Sequence, residues 1–155
     1  MRVVAVSFAV LCLFQYKAQS EDTVVQSEIK TLTPEESSQV ISAGIDGETV
    51  LADVSRGVPP DNGGNYGDLV YRYREQKDRL LLREVVISQQ LSSSEQDIHW
   101  SVSISGARIN SVRVLNFGRQ RAYCLRIDVA GSDAQAVIRV PPLFDPRIMI
   151  EIYGY

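Results

Sequence analysis

An all-β domain, an antiparallel sandwich or barrel of about seven to eight short strands, is the fold this sequence predicts. Three observations predict it. Over residues 98–104, Ile98, Trp100, Val102 and Ile104 alternate strictly with polar residues, which puts the apolar side chains on one face of an extended chain. The same period of two returns over residues 123–129 and 147–153. Between such runs stand Ser105-Gly106-Ala107, Gly131-Ser132-Asp133 and Pro141-Pro142, residues that favour turns and end strands.

Taken in order, residues 1–20 read as a secretory signal peptide. A basic start at Met1-Arg2 precedes an uncharged apolar run to Phe14 and a polar end with small residues at Ala18 and Ser20. That run is shorter than the roughly 20 apolar residues of a membrane span. Residues 21–65 form an N-terminal extension. Its polar beginning, 21–31, predicts a loose tail or an edge strand. Thr33-Pro34-Glu35-Glu36 then predicts a short helix over 34–43, with threonine capping, proline at the first helical position and glutamate completing a capping box. Residues 49–54 suggest a strand, and the Pro-Pro and Gly-Gly pairs within 56–65 a loop.

Residues 66–155 form the β domain. Over 68–74, Leu69, Tyr71 and Tyr73 share one face, with Arg72 and Arg74 opposite. A longer strand over 79–91 is bulged, because Leu80-Leu81-Leu82 occupies both faces. Val85-Val86-Ile87 favours a strand over a helix there. Residues 96–115 read as a β-hairpin around Trp100, the only tryptophan, which turns at Ser105-Gly106-Ala107 and belongs to the core. Residues 116–121 make a basic turn. After it Tyr123, Leu125, Ile127 and Val129 oppose Cys124, Arg126 and Asp128, and residues 136–140 form another strand. The last strand places Ile148, Ile150 and Ile152 inward and Met149, Glu151 and Tyr153 outward.

Loss of the signal would leave about 135 residues, enough for one domain with its own core. The 16 basic and 19 acidic residues give a net charge of −3, or about −5 once Arg2 and Lys17 leave with the signal. Such a chain is poorly matched to nucleic acid or an anionic membrane, so neither is expected as a direct partner. Cys12 departs with the signal and Cys124 remains alone. No internal disulfide is then available, and the fold must rest on its apolar core. Being out of phase with Leu125 and Ile127, Cys124 reads as an outward-leaning, semi-buried thiol, either free or paired between chains.

Catalytic patterns are weak. His99, the one histidine, falls on the polar face, and no G-x-S-x-G elbow accompanies it. One His and one Cys do not make a zinc tetrad. Asp61, Asn62, Asn65 and Asp68 carry oxygen ligands suited to calcium, but without the spacing of a calcium loop, so they read as turn residues. A carboxylate pair drawn from Asp128, Asp133, Asp145 and Glu151 would suit a hydrolase, though none is marked out. No phosphate-binding glycine loop and no N-linked glycosylation site occur. The cluster of Arg72, Arg74, Lys77, Arg79 and Arg83 is interspersed with Glu75, Asp78 and Glu84, and reads as a solvated strand face, some of whose arginines could contact an acidic partner protein.

Gly67-Asp68-Leu69-Val70-Tyr71, Ile109 with Val112 and Val114, and Ile150-Glu151-Ile152-Tyr153-Gly154 resemble the arthropod multiprotein bridging factor two family. The likeness covers roughly residues 66–155, and the ending E-I-Y-G is its most distinctive piece. The resemblance implies a small protein of the kind secreted into saliva or haemolymph. The family's name implies a transcription coactivator that bridges a DNA-bound activator to general transcription factors. It implies no catalytic residue.

The expectation is therefore a secreted, extracellular, non-enzymatic β domain that acts by binding a protein or small ligand and needs no cofactor. The two alternatives are the coactivator and a small carboxylate-dependent hydrolase. Candidate partner-binding residues are Arg119, Arg121, Met149, Glu151 and Tyr153.

Overall fold

A computed structural model describes residues 23–37, 45–52, 67–88 and 91–155. The expected signal peptide, the later part of the expected helix, the 56–65 loop and three of the four loop oxygen ligands lie outside the described residues. Among the described residues no helix is long and apolar enough to cross a membrane.

The strands are β1 (Thr23–Thr31), β2 (Glu48–Leu51), β3 (Leu69–Tyr71), β4 (Arg79–Ile87), β5 (Gln96–Ile104), β6 (Ile109–Asn116), β7 (Tyr123–Ala130), β8 (Asp133–Val140) and β9 (Arg147–Gly154). One short helix, α1 (Pro34–Ser37), follows β1. Among the described residues all strand pairs are antiparallel, in a five-stranded sheet ordered β1-β5-β8-β7-β2 and a four-stranded sheet ordered β3-β6-β9-β4. The all-β class thus holds, as a sandwich with both edges of the larger sheet supplied from the N-terminal extension.

The inner faces follow from the alternation. Ile98, Trp100, Ile127, Ile138, Ile148, Ile150 and Ile152 are at most 1% exposed and meet between the sheets. Trp100 donates its Nε1–H to Glu84 Oε2 at 2.9 Å, which supplies the partner a buried indole needs. The expected bulge in β4 is present, a register shift between Leu80 and Leu82. Gly131-Ser132 closes a tight β7–β8 hairpin with Gly131 at φ 64°, left-handed backbone suited to glycine. The capping box also forms. Thr33 N donates to Glu36 Oε2 at 2.9 Å, and Glu36 N donates to Thr33 Oγ1 at 3.3 Å. Lys30 first, then these threonine bonds, pull the Glu36 carboxyl down to about 2.

Several local expectations give way. Residues 96–115 are not a hairpin: β5 pairs with β1 and β8, whereas β6 pairs with β3 and β9. The turn at Gly106 (φ 73°) carries the chain from one sheet to the other, so both apolar faces reach the same core from opposite sides. Cys124 does not lean outward. A bulge between Cys124 and Arg126 shifts the phase of β7, leaving Cys124 2% exposed in the core with its thiol pushed up by burial. Asn116 ends β6 as a buried residue, so the following turn begins one position later than expected. The 68–74 alternation stops at Tyr71, because Arg72 turns into left-handed backbone (φ 52°) and leaves Tyr73 67% exposed.

Candidate functional site

In an antiparallel sheet, residues directly opposite one another point to the same face. On the outer face of the four-stranded sheet this produces three rows. Arg113, Glu151 and Arg83 form the first, with Val70 beside Arg113. Leu115, Met149 and Val85 form the second. In the third, Arg147 lies opposite Ile87 and its carbonyl accepts from Phe117 N at 3.1 Å.

The second row is apolar and open, and the third sets the apolar Ile87 and Phe117 on either side of Arg147. Val85 is 51%, Ile87 47% and Phe117 54% exposed, with Leu115 and Met149 half-buried between them. Contiguous apolar surface of this kind marks interaction sites in folded domains. It arises because β4 carries apolar residues on both faces, and the outer face of this sheet has no covering layer among the described residues.

The first row is electrostatic. Glu151 Oε1 accepts from Arg83 Nε at 3.0 Å and Nη2 at 2.8 Å, and Oε2 accepts from Arg113 Nη1 at 3.1 Å and Tyr153 Oη at 3.1 Å. The glutamate is covered, while Arg83 and Arg113 remain 55% and 41% exposed. Two cations thus converge on one carboxylate and leave an excess of positive charge facing outward. The Glu151 bonds raise the Arg83 guanidinium above its ordinary value. Arg74 lies 5.1 Å from the centre of the Tyr153 ring and covers it.

Of the five residues the sequence nominates, Met149 therefore sits in the centre of the open face. Glu151 and Tyr153 point to the outer side, as the alternation requires, but they are only 4% and 6% exposed. Arginines from β4, β6 and the β3–β4 connection lie over them. Arg119 is exposed, and Arg121 is half-buried with Nη1 enclosed and unbonded among the described residues. Their turn packs beside the start of β9, where Gln120 accepts a bond from Asp145 N and Gly118 stands against Arg147. A buried polar clamp fixes it from below. Asp68 Oδ1 accepts from Asn116 N (2.7 Å) and Nδ2 (3.0 Å), and Asn116 exchanges bonds with Ala122. Gly67 closes the clamp, since a Cβ there would stand 2.3 Å from Ala122 O and φ is +89°.

Sequence reading missed Arg113, Val85, Ile87, Leu115 and Phe117, and took Arg83 as part of a solvated strand face. The available signal was the two-sided apolar run in 79–87, which marks either a central strand or an edge strand with a bare face.

Elsewhere, a polar cleft of about 500 Å³ opens at one end of the sandwich, lined in part by Glu48, Tyr71, Arg72, Lys77 and Arg108. Glu48 accepts from Tyr71 Oη at 2.9 Å and from Arg72; the tyrosine bond first, then Arg72, lowers its carboxyl. Burial first, then Glu48, raises the Tyr71 hydroxyl. Lys77 lies 3.4 Å from Glu75 and 4.8 Å from the Tyr155 ring centre. Most of the charge in this cleft is matched internally. The carboxylates considered for hydrolysis each have their own partner: Asp128 with Arg126, Asp145 with Arg147, Glu151 with Arg83 and Arg113, and Asp133 with Ser132 Oγ. Among the described residues no group of three or more His, Cys, Asp or Glu is placed to hold a metal ion. Set against protein-family models, curated proteins and solved structures, the chain matches none of them.

Proposed function

We propose that this protein is a secreted, non-enzymatic β-sandwich that works by holding a partner protein on the outer face of its four-stranded sheet. The observation that carries the reading is the open apolar surface of Val85, Met149, Leu115, Ile87 and Phe117, bordered by arginines fixed on Glu151. A buried apolar centre with a polar border is the anatomy of protein interfaces. The basic start, apolar run and small-residue end of residues 1–20 support export. The stretches that resemble the bridging factor family fall on or beside β3, β6 and β9, three adjoining strands of this same sheet. That placement is compatible with either an extracellular or a nuclear partner, and the leader favours the first.

Two experiments test the reading. The full chain is expressed in insect cells and the secreted product is sequenced from its N-terminus; a start near Glu21 is expected, and retention with residues 1–20 intact would favour the coactivator. A photo-crosslinking residue is then placed at position 85, or at position 99 on the opposite sheet, and the protein is returned to the fluid that contains it. Crosslinked protein is expected from position 85 alone. Equal capture from position 99, or none from 85, refutes the assignment of this face.

A further inference from the structure

We infer that the partner's contact element is an extended acidic–apolar segment, lying along the strands with a carboxylate on the Arg83–Arg113 pair and apolar side chains on the next two rows. This inference rests on the proposed binding role of the face and gives its occupant a chemistry.

Charge complementarity chooses the sign. Arg83 and Arg113 together stand against one covered carboxylate, Glu151, whereas Arg147 is matched by Asp145 and Arg74, over the Tyr153 ring, is within the field of Asp78. The chain as a whole carries a net charge of −3, so this is a local reversal. Arg83 uses Nε and Nη2 on Glu151 and Arg113 uses Nη1. Arg83 also interacts with the Tyr153 hydroxyl, but five N–H donors per guanidinium exceed these bonds, so the pair keeps donors for an incoming group. Glu151 already holds both guanidiniums in place, so an arriving carboxylate meets groups whose freedom is largely spent. Ordering cost falls and the planar donors suit a carboxylate.

Spacing chooses the form. Arg83, Val85 and Ile87 are each two residues apart on β4, as are Arg113 and Leu115 on β6 and Glu151, Met149 and Arg147 on β9. Successive rows are therefore roughly 7 Å apart along the strands. An extended peptide repeats its same-face side chains at that interval. An acid followed at two-residue steps by two apolar residues places one group on each row. A lipid surface has no such fixed interval, which sets the peptide ahead of an anionic membrane.

The test uses the full chain and three fluorescent pentapeptides: Asp-Thr-Val-Thr-Phe, Lys-Thr-Val-Thr-Phe and Asp-Thr-Ser-Thr-Ser. Anisotropy should show the first binding at least about tenfold tighter than either of the others, since a charge-assisted hydrogen bond is worth a factor of that order. Arg83→Gln with Arg113→Gln should remove the preference for the acid, Val85→Lys should weaken the first peptide, and His99→Ser on the other sheet should leave it unchanged. The variants alter exposed side chains, and unchanged circular dichroism establishes that they fold. Equal binding of the acidic and lysine peptides, no binding of any, or binding only to phosphatidylserine vesicles overturns the inference. If the acid preference fails while crosslinking from position 85 persists, the face stands and only the chemistry of its occupant falls. Loss of both removes the face as well.

Discussion

The two outer faces of this sandwich are built from similar alternating strands and are used in opposite ways. On the five-stranded sheet, charged outward residues of β5, β7 and β8 pair with one another in the middle of the face, while Val24 and Leu51 on its edge strands are 55% and 61% exposed. Arg126 and Asp128 are 6% and 2% exposed and bonded at 2.8 Å, with Thr49 adding a hydroxyl to Asp128. Arg139 grips Asp97 through Nε at 2.9 Å and Nη2 at 3.0 Å, and its Nη1 reaches Ser37 O at the end of α1. On the four-stranded sheet Val85 is open and Leu115 and Met149 half-buried, and the covered Glu151 is met by two cations. The middle of one layer closes on itself as structure; the middle of the other is left unfinished. An internally satisfied polar layer gives a partner little to gain, whereas exposed apolar area beside preorganised charge gives it both energy and register.

The contrast yields a ranked set of expectations. Trp100→Ala strikes the core that both sheets share and should cost about 3–5 kcal/mol in urea unfolding, from lost packing at a residue 1% exposed. Asp128→Ala should cost a comparable ~3–5 kcal/mol, because it strands a buried guanidinium on the closed face. A loss below about 1 kcal/mol would mean that this layer is not structural. Glu151→Gln on the open face should cost less, about 1–3 kcal/mol by the same assay, since the arginines it releases can turn to water. The smallest effect belongs to the capping box. With the Glu36 carboxyl depressed to about 2, its contribution is fully present above the ordinary value of 4.5 and is withdrawn as pH falls through about 2. An NMR titration should therefore show the Thr33 amide unmoved at pH 4 and shifting only near the acid end; movement centred near 4.5 would contradict the pairing.

What could be read in the sequence was local. Alternation fixed which side chains of β5, β8 and β9 share a face, three leucines in a row marked the β4 bulge, and Thr33-Pro34-Glu35-Glu36 marked its cap, because each signal spans only a few residues. Alternation does not name a strand's neighbours. A hairpin and a crossing between sheets bury the same residues of 96–115, so the letters alone could not separate them. Cys124 was misplaced by a bulge that no glycine announces. Glu151 and Tyr153 were assigned the correct side but the wrong exposure, because the residues that cover Glu151 stand 38 and 68 positions away. The open face was itself half visible. The two-sided apolar run in β4 was legible, but which of its faces meets the other sheet was not.

The most direct measurement is the urea unfolding of Val85→Lys in the full chain. If the outer face of the four-stranded sheet is bare, a lysine at this half-exposed position leaves stability within about 0.5 kcal/mol of the parent and the slope unchanged. A loss of about 2 kcal/mol or more would show that the folded chain already covers this face, and that it is a second closed layer and not a surface for a partner.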